Sequence, residues 1–133
     1  MLKRGALAIV LASLAAASSA CALDLNSFRA QNGRSALRPS GTLGGLAYEQ
    51  AHDMATRKAL DHKDYRARLG SMGTMTAENV LVGCADEDCA IRGWARSPHH
   101  RANMLRGDVS HYGIASATGA NGRTYWALEL GGE

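Results

Sequence analysis

Met1 is followed by Lys3 and Arg4, then by an uncharged run rich in Ala and Leu from Gly5 to Ala17, and then by small residues up to Ala22. A charged start, an apolar stretch and a small-residue end form the pattern of a secretory signal peptide. A membrane-spanning helix needs about 20 apolar residues, and this run stops short of that. A buried N-terminal helix fits less well, because the run has no polar face to turn toward water. Residues 1–22 are therefore expected to be a leader cleaved near Ala20 or Ala22, and residues 23–133 the folded part.

That division bounds everything else. The 111 residues after the leader suffice for one small domain with a core of ordinary size, and no second domain fits. Lys3 and Arg4 leave with the leader, so the 15 basic residues of the chain become 13 against 12 acidic ones, a balance of +1. No basic stripe marks a nucleic-acid partner. The mature part holds no transmembrane segment, and a monomer in a secreted or periplasmic location is expected. In an oxidising compartment Cys84 and Cys89 read as a disulfide. On one continuous helix, five steps of about 1.5 Å would hold their Cα atoms too far apart, so the chain between them has to turn, with Asp86 as the N-cap that starts a helix after Cys84. Cys21 suggests a second reading, a lipid-anchored first residue. Ser18-Ser19-Ala20 lacks the Leu usual three places before such a Cys, which favours the free form.

Leu25, Phe28 and Arg29 have helical spacing, with Gly33 as a stop. Arg34 to Gly45, with Pro39, Ser40 and three glycines, reads as a loop. Leu46, Ala47, Ala51, Met54 and Ala55 then define an amphipathic helix running to about Leu60. His62 to Thr76 reads as mostly irregular, and Glu78 to Val82 as a short apolar segment. Acidic residues ahead of Ala90, Ile91 and Trp94 predict a helix from about Glu87 to Arg96. Ser97-Pro98 predicts another, with Ser97 accepting a hydrogen bond from an early helical N–H and Pro98 at the first helical position, ending near Gly107. Beyond it the period changes to two, in Tyr112, Ile114 and Ser116 and again in Trp126, Leu128 and Leu130, with Gly119 to Gly122 between them as a hairpin loop. Helices first and strands last make an α+β domain.

Several short motifs resemble, in order, those of bacterial members of the CAP superfamily, which groups cysteine-rich secretory proteins, antigen 5 and pathogenesis-related proteins. They are Leu25-Asn26-Ser27-Phe28-Arg29, Ala51-His52-Asp53-Met54-Ala55 with Asp61-His62, Ala77-Glu78-Asn79-Val80, Trp94 with Ser97 to Leu105, and Gly113-Ile114-Ala115 with Tyr125-Trp126. The resemblance implies a single SCP-like α-β-α sandwich with a cleft in which two His and two Glu of the family gather around a divalent metal. Carried over one residue at a time, the first His is His62, the first Glu is Glu78 and the second His is His100. The second Glu has no equivalent, because Ser97 stands where many animal members hold it. His99 occupies a place where bacterial relatives usually have Gly, and it lines the cleft or points to solvent.

Two imidazoles and a carboxylate suit zinc, with a fourth position left for water, and other first-row metals bind such a set too. At the first turn of a helix, His100 is held neutral by the local positive potential and is free to act as a ligand. On their own these residues have plainer roles, as a helix-end cap for each His and a loop hydrogen bond for Glu78. Two functions follow from the resemblance. One is a binding module that holds a lipid, peptide or cell-surface component, with or without zinc or another divalent metal. The other is a metal-dependent hydrolase in which the ion activates water. Once Glu78 is a ligand, no other acidic residue lies in a matched motif to act as base, which favours binding. The leader reading predicts that the exported protein begins between Cys21 and Leu23, as intact mass measurement will show; a cytoplasmic product retaining Met1 would refute it.

Overall fold

The computed structural model describes residues 21–132; most of the expected leader, Met1–Ala20, lies outside the described residues. The period-two stretch folds as a hairpin of β3 (His111–Thr118) and β4 (Thr124–Gly131), paired antiparallel with Ile114 opposite Leu128. The apolar segment near Glu78 becomes β2 (Ala77–Val82), antiparallel to β4 on its other side. A two-residue strand, β1 (Arg38–Pro39), runs parallel to β3, giving the order β1-β3-β4-β2 with β2 at an edge.

Both faces of this sheet are covered. Trp126, Leu128 and Leu130 of β4 pack against Leu25 and Phe28 of α1 (Leu25–Gln31), Ile91 and Trp94 of α4 (Glu87–Ala95) and Met104 of α5 (Pro98–Met104). On the opposite face Tyr125 and Ala127 meet Ala47, Ala51 and Met54 of α2 (Gly41–Arg57). A smaller cluster joins Leu43 of α2 to Leu69 of α3 (Tyr65–Leu69) and to Met72. The fold is the expected single α-β-α sandwich of the α+β class. Among the described residues no helix is long and apolar enough to cross a membrane.

Side-chain caps start three of the helices. Asp24 accepts from Ser27 N, Ser40 from Leu43 N and Asp86 from Cys89 N. The last of these provides the turn required between Cys84 and Cys89, which form a disulfide with Cα atoms 5.5 Å apart. The Trp126 indole donates to the Cys84 carbonyl at 2.9 Å and fixes that loop to β4.

Several boundaries differ from the sequence expectation, each for a local reason. Residues 41–45, read as loop, are the first turns of α2, because the Ser40 cap and the full burial of Leu43 offset helical glycines that each cost about 1 kcal/mol. The helix stops at Arg57 and not near Leu60, since Lys58 turns into the left-handed region at φ 56°. The stretch from His62 to Thr76 contains α3, anchored by buried Leu69. α4 closes at Ala95, and α5 ends at Met104, short of Gly107. Ser97 does sit at the N-cap of α5, but its side chain accepts no capping hydrogen bond; its carbonyl takes Arg101 N at 2.8 Å, and Pro98 sets the first turn.

The opening turns of α2 lie directly on β3 at Gly113. A Cβ there would sit 2.1 Å from Gly44 N and 2.2 Å from Leu43 C, both backbone atoms that no rotamer change can move. Gly113→Ala should therefore destabilise the fold by more than about 3 kcal/mol, well beyond the usual effect of adding one methyl group. Chemical unfolding of the variant checks this, and a loss below about 1 kcal/mol would mean that α2 does not press on β3 as described.

Candidate functional site

A cleft of about 300 Å³ opens at the Thr76–Glu78 end of edge strand β2, between the segment after α2 and the start of α5. His62, Tyr65, Thr76, Glu78, His99 and Asn103 line it, with Ala77 and Arg106. The alternation of β2 explains why both helical layers contribute. Glu78 is on the α2 side, whereas Asn79 is on the α5 side, where its Nδ2 donates to the His100 carbonyl and its Oδ1 accepts from Asn103, each at 2.9 Å. The fully buried Asn79 thus pins the first turns of α5 to the strand, which sets His99 at the cleft mouth.

His62 is placed by the chain that leaves α2. Arg57 bonds Asp53 at 2.7 Å and forks onto both oxygens of Asp61, while Gln50 Nε2 donates to the Asp61 carbonyl at 2.8 Å. The next residue, His62, then brings Nδ1 to 2.6 Å from Glu78 Oε1, with half of its side chain exposed and Glu78 buried. Tyr65 and Thr76 share a hydroxyl hydrogen bond of 2.7 Å in the same cleft. Burial pushes the His100 imidazole below its usual pKa, and the neighbouring His99 and His62 push it the same way. Each of these causes disfavours the charged imidazolium.

A second carboxyl group stands behind Glu78. The β2–β4 register sets Glu129 directly opposite it, and the Glu129 side chain is fully buried. Like charges opposite one another across a ladder repel. Burial first, and the Glu78 carboxylate second, push the Glu129 pKa up to about 10. Arg68 of α3 bridges the pair, with Nη2 on Glu78 Oε2 and Nε 3.3 Å from Glu129 Oε1. Neither Glu129 nor Arg68 was singled out in the sequence. Glu129 falls on the face of β4 opposite Trp126, Leu128 and Leu130, which in a hairpin with one buried face would be solvent; here α2 covers it.

The structure therefore brings His62 and Glu78 into contact in the cleft wall, whereas His100 and Ser97 both lie outside the lining and His99 takes the place at the cleft that His100 was expected to fill. As arranged, this donor set does not fit a metal ion. Both Glu78 oxygens are engaged, one by Arg68 and the other by His62 and Gln50. Among the described residues no group of three or more His, Cys, Asp or Glu side chains is disposed to hold one.

The model of the cysteine-rich secretory protein family, CAP, matches residues 24–130. The chain belongs to that family. Solved structures with the same fold include an outer surface protein from Borrelia burgdorferi, at a TM-score of 0.72 and 16% identity, covering 82% of this chain and 86% of that one. An extracellular SCP-domain protein from Bacillus anthracis superposes at a TM-score of 0.69 with 20% identity, and a cysteine-rich secretory protein from Staphylococcus aureus at 0.65 with 22%. This CAP domain spans 38% and 36% of those two longer chains while 82% of it is covered in each case. No curated protein sequence matches the chain.

The carboxyl pair carries a pH signature. An unfolded Glu129 would lose its proton near the ordinary value of 4.5, whereas the folded one holds it to about 10. Between those values the unfolded chain binds fewer protons, so the stability contributed by this group is complete at acid pH and falls as pH rises toward 10. Glu129→Gln, which cannot ionise, should flatten the fall in urea midpoint from about pH 5 to pH 9. Equal slopes in the variant and the native protein would show that Glu129 is already ionised in the fold.

Proposed function

We propose that this CAP domain is an exported binding module whose cleft holds a polar component of the cell envelope, a peptide or a sugar, rather than an acyl chain. The lining carries the proposal, since every wall residue except Ala77 presents a side chain able to hydrogen-bond. An acyl chain would strip water from those groups and leave them unpaired, whereas the hydroxyl and amide groups of a glycan or peptide pair with them. A volume of about 300 Å³ is at the small end for ligand clefts and suits one sugar ring or a short peptide end. An outer surface and an extracellular protein among its structural neighbours support an envelope setting.

A hydrolase is the second reading, and the His62–Glu78 contact is what favours it. With Nδ1 donating to a buried carboxylate, Nε2 is left as a proton acceptor, the state a general base requires. Among the described residues His62 has no hydroxyl or thiol hydrogen-bonded to it that would serve as nucleophile, so binding is preferred. Soluble cell-wall glycopeptide fragments and phosphatidylglycerol vesicles are the probes. The fragments should shift the amide NMR signals of Tyr65, Thr76, His99 and Asn103 while the vesicles leave them unmoved. His99→Ala, at an exposed cleft residue, should weaken fragment binding roughly three- to ten-fold, the worth of about one hydrogen bond, without altering the fold. Vesicle binding with no response to the fragments would overturn the proposal.

A further inference from the structure

The Arg68 side chain is mostly covered, and each nitrogen of its guanidinium is used: Nη2 donates to Glu78 Oε2, Nε to Glu129 Oε1 at 3.3 Å, and Nη1 to the Lys63 carbonyl at 2.6 Å. This is a built position. The next residue, Leu69, is 1% exposed and packs with Leu43 and Met72, which fixes the end of α3 and with it the reach of the arginine. On its other side the Glu78 carboxylate meets His62 Nδ1 at 2.6 Å and Gln50 Nε2 at 3.5 Å. A divalent ion approaching from the cleft would find neither Glu78 oxygen unengaged. To gain one it would have to push the guanidinium off two buried carboxyl groups, leaving Glu129 without its cation, or take the His62 ring from its partner.

We propose that Arg68 is the resident cation of this cleft. It neutralises Glu78 in the way a bound divalent ion would, so the native domain takes no metal at His62, Glu78 and His100. Because Nδ1 of His62 is held by Glu78, its Nε2 is left to accept a hydrogen bond from an organic ligand. Arginine suits the task better than lysine, since its planar fork serves two carboxyl groups and a carbonyl at once and stays charged at any pH the protein meets. The proposal concerns the cation alone and is independent of which polar ligand occupies the cleft.

The test is a calorimetric titration with zinc chloride at about pH 7.5 of the purified protein after treatment with chelator. Native protein should show no one-to-one zinc site in the micromolar range. Arg68→Ala should gain one, at least about ten-fold tighter than any residual binding by the native protein, and the gain should vanish when His62→Ala is added. Zinc should likewise raise the melting temperature of Arg68→Ala and leave that of the native protein unchanged. A native one-to-one zinc site that His62→Ala removes would overturn the proposal, and so would a folded Arg68→Ala that binds no more zinc than the native protein. Arg68→Gln, of similar length and uncharged, serves as the second variant if Arg68→Ala does not fold. The native titration decides by itself if neither does, since absence of the site supports the proposal and its presence refutes it.

Discussion

The pairing of β2 with β4 is the constraint from which the site follows. Its register places Glu78 against Glu129 on the face that α2 covers, so two carboxyl groups share a region from which water is shut out. Two buried negative charges side by side are not tolerable, and the fold answers with a proton on Glu129 and with Arg68. The arginine comes from α3, which explains why a helix of five residues is held in place by a buried leucine and a separate apolar cluster. His62 then completes the network from the solvent side. Each of these residues comes from a different segment and takes its partners from the others, although Glu129 Oε2 stays buried without a hydrogen bond among the described residues.

The edge position of β2 explains how so polar a group of side chains coexists with a small core. The strand is paired only on the β4 side, and its Ala77–Glu78 end projects where α5 and the segment after α2 approach from opposite faces. Asn79 serves the α5 face and Glu78 the α2 face, so two consecutive residues hold the two walls of the cleft. Farther along the strand the Trp94 indole donates to the Val80 carbonyl at 3.1 Å, which covers part of the outer edge with apolar surface. An open edge would otherwise invite pairing with another chain.

Much of this was legible in the chain and some was not, and the difference lies in the range of the interactions. Pro98 at the start of α5, Asp86 as a cap, the Cys84–Cys89 bridge and the hairpin are all fixed by contacts no more than about 20 residues apart, where spacing and residue type are enough. Gly41–Gly45 looked like a loop because glycine disfavours helix. The reason it is helical lies some 70 residues away, at Gly113, where only a glycine lets α2 settle on β3. Glu129 was invisible for a similar reason, since its face of β4 is buried by a helix from the other end of the domain. The family motifs brought out His62, Glu78 and His100, but Arg68 sits in a stretch that reads as irregular and carries several charges, and nothing local separates it from Arg66, which is exposed.

The disulfide and the cleft lie at opposite ends of β2, and this separation bears on how the domain tolerates a polar site. Beyond Val82 the chain turns at Gly83 into the Cys84–Cys89 loop, where the bridge, the Asp86 cap and the Trp126 indole fix the strand to α4 and β4. A cross-link that closes so short a loop removes little chain entropy, so its contribution is at the low end of about 2 to 4 kcal/mol. Its greater effect is positional. With that end of the strand held by covalent and apolar contacts, the register of β2 on β4 does not depend on the Glu78–Glu129 pair, which on electrostatic grounds would favour sliding apart. A slip of one residue would carry Val80 off the α2 layer and Ala77 off the opposite one, and the core forbids it. The carboxyl pair is thus imposed by packing elsewhere, and Arg68 is the fold's local answer to a juxtaposition it cannot avoid.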